Sequence, residues 1–380
     1  MRKLFAVVST LVVLAVLAAA CGQPAATVEV TRVVEVTRVV EVTPEGGVPV
    51  EQPTPAPEPP AETEGRLQTV LNRGNVVCGV NVNLPGFGAP EGDTWVGFDA
   101  DFCKALAAAL FDDPEAVEWR PLSAEERFTA LQSGEADVLF RNTTWTLSRD
   151  TSVGMDFAPT TFYDGQGFMV PAALGASTID DLAGGTVCVQ TGTTTELNLN
   201  DAFAVRSLEF TPIVFSDIDQ TYAAYAAGQC DAVTSDISQL VGRRSAMPDP
   251  SAHLILDEVI SKEPLGPVVA QGDSQWLDVV SWVVYGTMEA EELGITSANV
   301  DSFLTSTDPK VVRLLGLDPE AKFGQGLGLT DDFIVRVLRH VGNYGEIYDR
   351  NLGPNTPLNI PRVQNALWTN GGLIYAPPFR

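Results

Sequence analysis

Basic residues are scarce in this sequence. Lysine and arginine together number 23 against 49 aspartates and glutamates, for a formal net charge of −26. That balance leaves no basic surface to meet phosphates and excludes nucleic acid as a partner. The acidity itself bears on solubility rather than on ligand. Histidine is almost absent, with only His253 and His340. Together with the long spacings between the cysteines, this argues against a zinc site, and neither metal nor cofactor is expected. Beyond the N-terminus no stretch is apolar enough to cross a bilayer; residues 276–288 come closest and include Asp278.

The N-terminus itself has the layout of a signal peptide over residues 1–20. Arg2 and Lys3 precede an apolar stretch from Leu4 to Ala20, and small residues Ala18, Ala19 and Ala20 lead into Cys21. A cysteine directly after such residues resembles a bacterial lipobox, in which the thiol is acylated, although Ala18 stands where leucine is commonest. The other reading is an uncleaved anchor, since the apolar run is close to the lower limit of about 17 residues for a span. Either way the remaining chain is exported. Four more cysteines, Cys78, Cys103, Cys188 and Cys230, then allow three pairings. Neighbour pairing, Cys78–Cys103 and Cys188–Cys230, keeps each bridge inside one half of the molecule and is the expected one.

Residues 21–64 read as a spacer. A six-residue unit beginning at Glu29 repeats from Glu35, and a proline- and glutamate-rich run follows to Glu64. Such composition cannot bury a core and stays extended. About 315 residues remain, enough for two domains of ordinary size. From Gly65 onward the pattern is α/β. A β-branched strand is expected over 75–82, and a helix over 101–111 with Phe102, Leu106 and Leu110 on one face. Ser123 and Glu126 form a capping box ahead of a helix carrying Phe128 and Leu131. Gly134 stops that helix before a strand over 136–140.

Part of this pattern occurs twice. The segment 127–138 reappears in outline at 221–232, with Phe128 matching Tyr222, Leu131 matching Tyr225, Gly134 matching Gly228 and Asp137 matching Asp231. Helix, glycine stop and a strand opening with aspartate thus recur, which implies two related lobes, each with its own parallel sheet. Carried past each aspartate, the same offset sets Asn142 opposite Asp236, both just beyond a strand's carboxyl end, where ligands of parallel sheets bind.

Three segments near such strand ends supply the groups that a zwitterion with neighbouring carboxylate and ammonium requires. In 141–150, Thr144 and Thr146 follow a strand, and Thr146 or Ser148 caps a short helix that projects Arg149, whose planar fork suits a carboxylate. In 190–197, Gly192 permits a tight turn, and Thr193 and Thr194 stand at a helix N-terminus where amides are free for an anion. The spacing and lysine of a P-loop are missing there. In 230–236, Asp231 opens the strand as a structural residue, while Asp236 follows it, placed to accept an ammonium, to cap the helix from Ile237, or both.

Taken with the stretches 84–88, 95–105, 163–170 and 260–267, these segments resemble the periplasmic solute-binding proteins of polar amino acid ABC importers, in the general L-amino acid-binding branch. The resemblance runs from about residue 70 to the C-terminus. It implies a type II periplasmic-binding-protein fold, α/β and two-lobed, with two mixed sheets flanked by helices, two crossover strands and a ligand cleft between lobes. Lobe one would take 65–165 and return over 265–380 with a C-terminal extension; lobe two would be 166–264. Arg149 would then hold the ligand carboxylate, helped by Thr144 and amides near Thr193 and Thr194. Asp236 would hold the ammonium beside Asn142, and Phe87 and Trp95 would wall the cleft. Lys104 replaces an arginine common in the branch, on a helix where little should follow.

The implied activity is binding without chemistry, by a lipid-anchored monomer that delivers free L-amino acids to an ABC permease in the membrane. The alternative is a dehydratase-like enzyme on the same fold acting on a prephenate-like acid. That enzyme needs a general acid or base in the cleft, and both histidines lie far from the three segments.

Overall fold

The computed structural model describes residues 65–380; the leader, Cys21 and the spacer lie outside them. The strand expected near residue 75 forms as Val76–Asn81 and is buried along its whole length, as a continuous apolar run in a covered sheet should be. It pairs in parallel with Val117–Leu122 on one side and Val138–Leu139 on the other. Val268–Ala270 and Met155–Phe157 then complete the sheet in antiparallel fashion. The second sheet repeats this plan. Thr211–Phe215, Thr186–Gln190 and Ala232–Asp236 are parallel, and Gln166–Pro171 and His253–Ile255 close the sheet antiparallel. Each sheet is therefore mixed, not purely parallel as the repeat alone implied, because the chain returns through each lobe after crossing.

The internal repeat is a structural one. Helices Arg127–Gln132 and Ile218–Ala226 each end before a glycine with positive φ, 77° at Gly134 and 73° at Gly228. The strands that follow occupy the same third position in the two sheets. The two aspartates do the same work. Asp137 accepts the Val77 amide at 2.7 Å, and Asp231 accepts the Thr186 amide at 2.7 Å, so each ties down the beginning of the neighbouring strand. Asp137 is also paired with Arg66 and Arg73. The Ser123–Glu126 capping box is present, with reciprocal amide bonds of 3.1 and 3.3 Å. The helix of lobe one starts earlier than expected, at Phe98, since the Phe98 amide donates to Gly86 O after Gly97. Both neighbour disulfides form, Cys78–Cys103 and Cys188–Cys230. Each staples a central strand to the element beside it.

The lobes are joined where Phe162–Asp164 pairs antiparallel with Glu263–Leu265. After this crossing the chain adds a helix Ser274–Glu292, whose Val279, Val280, Val283 and Val284 enter the first lobe's core. Later helices pack on it closely enough that a Cβ on Gly286 would sit 2.0 Å from Ile334 Cδ1. The C-terminal tail then reaches back to the crossing. Asn365 accepts the Tyr163 amide at 2.6 Å and donates to the Tyr163 carbonyl at 3.1 Å. Asn365→Ala should leave both backbone groups without these partners and lower stability by about 2 kcal/mol, measurable as a reduced midpoint in urea unfolding.

Candidate functional site

Between the lobes lies a cavity walled by Asn142, Thr144 and Arg149 from one side and Thr193, Thr194 and Asp236 from the other. The segments singled out in the sequence therefore converge. Arg149 sits in the five-residue helix Leu147–Thr151, which Thr146 caps by accepting the Arg149 amide at 3.3 Å. Its Nη1 donates to the Thr144 carbonyl at 2.8 Å, which fixes the guanidinium in a buried position. Across the cleft, Thr193 caps helix Thr194–Arg206 by accepting the Glu196 amide at 3.2 Å. The next residue, Thr194, lines the cavity at the start of that helix.

Asp236 closes its strand and is buried, but its carboxylate does not cap the helix that follows. The capping role expected for it is taken from the crossing strand. The Ile237 amide donates to Gly165 O at 2.8 Å, and the Ser238 amide donates to Asp164 at 3.3 and 3.4 Å. Asp236 is thereby left free to face the cavity. Asn142 adopts φ 33°, a left-handed conformation that asparagine tolerates. Its amide donates to Asp99 at 2.8 Å, and its side chain accepts from Asn81 and donates to Gln239 across the cleft.

Phe87 and Trp95 do not line this cavity. Phe87 is fully buried in the first lobe's core, edge-on to Phe98 and Phe162. Trp95 stacks on Trp119, with Nε1 donating to Asn81 O at 3.2 Å. The apolar surface of Phe87 is consumed by the fold, while Trp95 is half-buried against the same core. Thr144 lines the cavity, but its hydroxyl proton goes to Glu263 at 2.6 Å. Glu263 lies on the crossing strand and also binds Thr194 at 2.9 Å, Ser261 at 2.5 Å and Asn198 at 2.8 Å. One buried carboxylate thus ties both walls to the hinge. The lobes meet directly over the cavity, with Thr144 and Thr194 hydroxyls 3.4 Å apart and Arg127 Nη2 donating to Gly192 O at 3.5 Å. This is the closed form of a two-lobed cleft.

Residues 76–295 match the family of bacterial extracellular solute-binding proteins, family 3. The chain belongs to that family. It is 53% identical to the general L-amino acid-binding periplasmic protein AapJ of Rhizobium johnstonii over 83% of this chain and 92% of that protein. It is 48% identical to the glutamate/glutamine/aspartate/asparagine-binding protein BztA of Rhodobacter capsulatus over 84% of this chain and 95% of the relative. A solved periplasmic binding protein of an ABC transporter from Brucella ovis, with glutathione bound, superposes with a TM-score of 0.82 at 50% identity. It covers 84% of this chain and all of its own. That share exceeds the family match, so the helices and tail beyond residue 295 have counterparts in the Brucella ovis protein.

The curated relatives of this solute-binding protein are named as binding proteins, and the dehydratase alternative finds no support among them. Among the described residues no helix is long and apolar enough to cross a membrane. Burial dominates the electrostatics of its cleft. Burial pushes the Asp236 carboxyl well above the ordinary range, and Asp164 and Glu263 add to the rise, while Asn142 and Arg149 oppose it. Burial lowers Arg149, opposed by Glu263 and Asp236. Burial likewise pushes Asp99 up to about 7, against the Asn142 amide and Arg141.

Sequence reasoning passed over Arg127, Arg141, Gln239 and Glu263. Arg127, Arg141 and Gln239 line the cavity, and Glu263 knots its two walls. The repeat carried a signal for one of them. The offset that sets Asn142 opposite Asp236 also sets Arg141 opposite Ser235, and all four line the cavity. Glu263 had no such signal, because its part depends on two chain crossings meeting.

Proposed function

We propose that the chain is an extracytoplasmic receptor that captures free L-amino acids and delivers them to an ABC permease. The observation that carries this reading is a single one. Arg149 from one lobe and Asp236 from the other are both buried at the same closed cavity, and neither is ion-paired to another side chain among the described residues. A guanidinium and a carboxylate so placed match the two charges that every free amino acid carries at its α-carbon. The names of the Rhizobium and Rhodobacter relatives support the ligand class, and the description of the Brucella ovis protein as an ABC transporter periplasmic binding protein supports the transporter association.

A ligand that touches both walls favours the closed form by its differential affinity for that form, and the closed form is what a permease would recognise. Lobe one would comprise 65–165 and 265–380 and lobe two 166–264, a division supported by the pairing of Phe162–Asp164 with Glu263–Leu265. Cys21 would carry the lipid that holds a monomeric receptor at the membrane, with 21–64 as tether.

The test is thermal unfolding of the purified protein, stripped of ligand, against each of the twenty L-amino acids. One that binds at 100 times its dissociation constant adds about 2.7 kcal/mol and visibly raises the midpoint. If none raises it, the amino-acid reading is wrong.

A further inference from the structure

We propose that Glu263, which lines no part of the cavity, is a positioning residue that latches the two lobes together and sets how slowly a bound ligand leaves. Its role rests on the amino-acid reading above only for what occupies the cleft.

Glu263 opens the crossing strand Glu263–Leu265 and is buried. A carboxylate only accepts, with room for about four donors, and four converge on this one. Its Oε2 takes the hydroxyl protons of Thr144 at 2.6 Å and Thr194 at 2.9 Å. Its Oε1 takes the Ser261 hydroxyl at 2.5 Å and the Asn198 side-chain amide at 2.8 Å. Arg149 feels the charge of Glu263 through space, but the groups that touch the carboxylate are these four. A buried charge depends on such bonds, so losing any of them matters more here than at the surface.

Backbone bonds decide which of the four donors moves with which lobe. Residues 143–145 run bonded beside the crossing strand, the Trp145 amide donating to Pro264 O at 2.9 Å and the Gly266 amide to Thr143 O at 3.1 Å. Thr144 therefore travels with Glu263, and Ser261 is only two residues from it along the chain. Thr194 and Asn198 differ. They stand four residues apart on one face of helix Thr194–Arg206, and Leu199 and Phe203 anchor that helix in the second lobe's core. Rotation of the second lobe away from the first carries both donors off, and parts the Thr144 and Thr194 hydroxyls that now lie 3.4 Å apart. Only the closed form gives Glu263 all four donors. Hydrogen bonds to a charged group contribute more than neutral ones, so the exchange of two of them for water resists reopening. Neither Glu263 nor Asn198 lines the cavity, so the bias acts on closure and not on contact with ligand. Encounter takes place with the open form, which puts the effect in the dissociation rate.

Stopped-flow binding and release of the L-amino acid that most raises the unfolding midpoint tests this on the ligand-stripped protein. Asn198→Ala removes one of the two moving donors and places alanine, the best helix former, on the helix. Glu263→Gln keeps the shape but turns one accepting oxygen into a donor. Each should speed dissociation by about tenfold to a hundredfold, the loss of one hydrogen bond to a charged group, and leave association unchanged. Asn200→Ala, on the same helix but donating to Glu196 O at 3.0 Å, should change neither rate. Unchanged dissociation in Asn198→Ala, or association slowed as much as dissociation is sped, would overturn the inference and leave amino-acid capture standing. Should Glu263→Gln fail to fold, seen as a lost urea transition, Asn198→Ala decides alone. If no amino acid binds the wild type, the reading on which the inference rests falls, and the inference with it.

Discussion

Asp236→Asn should reduce capture of L-amino acids by about thirtyfold to several thousandfold, the largest effect expected of any single substitution in this protein. The side chain is buried, caps nothing, and faces a cavity whose opposite wall holds Arg149. With asparagine in place, a ligand ammonium would be enclosed without its counter-charge, a loss of about 2–5 kcal/mol. Every 1.4 kcal/mol is about tenfold in affinity. The unliganded variant should nevertheless be no less stable than the wild type at neutral pH. Burial holds the Asp236 carboxyl above its ordinary value, so the stability tied to its proton is fully present below the unfolded-state value. It is lost as pH rises toward the folded one. An amide does not titrate and escapes that loss. Titration calorimetry paired with urea unfolding at pH 5 and pH 8 checks both halves. A variant that loses binding together with stability would make Asp236 a folding residue instead.

The same asymmetry explains what could be read from the sequence. Local signals were legible because their physics is local. The capping box at Ser123, the glycine stops at Gly134 and Gly228 and the strand-opening aspartates Asp137 and Asp231 each depend on residues within a few positions. The repeat was legible because both lobes solve the same problem with the same helix, turn and strand. It also led to Asn142 and Asp236, since equivalent strand ends face one cleft. What escaped depends on lobe meeting lobe. The sequence left Asp236 to accept an ammonium, to cap a helix, or both, and only the crossing strand's Asp164 shows that the cap is supplied from elsewhere. Phe87 is as apolar as any cleft wall, and nothing near it in sequence says that Phe98 and Phe162 enclose it. Arg127 follows a capping box and would pass for a surface helix residue. Its burial follows from Gly192 of the other lobe arriving above it.

Removing the Cys188–Cys230 bridge should cost about 4 kcal/mol of stability while leaving the cleft's geometry intact. Its two cysteines are separated by 42 residues. Closing a loop of that length in the unfolded chain accounts for most of the effect in the chain-entropy account. Both sulfurs are buried and neither residue lines the cavity, so Cys188→Ala with Cys230→Ala replaces them by small apolar side chains at little packing cost. The bridge Cys78–Cys103 spans 25 residues, and its loss should cost slightly less, about 3.5 kcal/mol. The two bridges sit in different lobes, on strands Thr186–Gln190 and Val76–Asn81, so their losses should add. Ligand offers a scale for comparison. A bound amino acid at 100 times its dissociation constant returns about 2.7 kcal/mol, less than either bridge contributes. The bridgeless variants should therefore remain below the unliganded wild type in urea midpoint even when saturated to that level. A full rescue by ligand would mean that the disulfides act on lobe closure rather than on the unfolded chain.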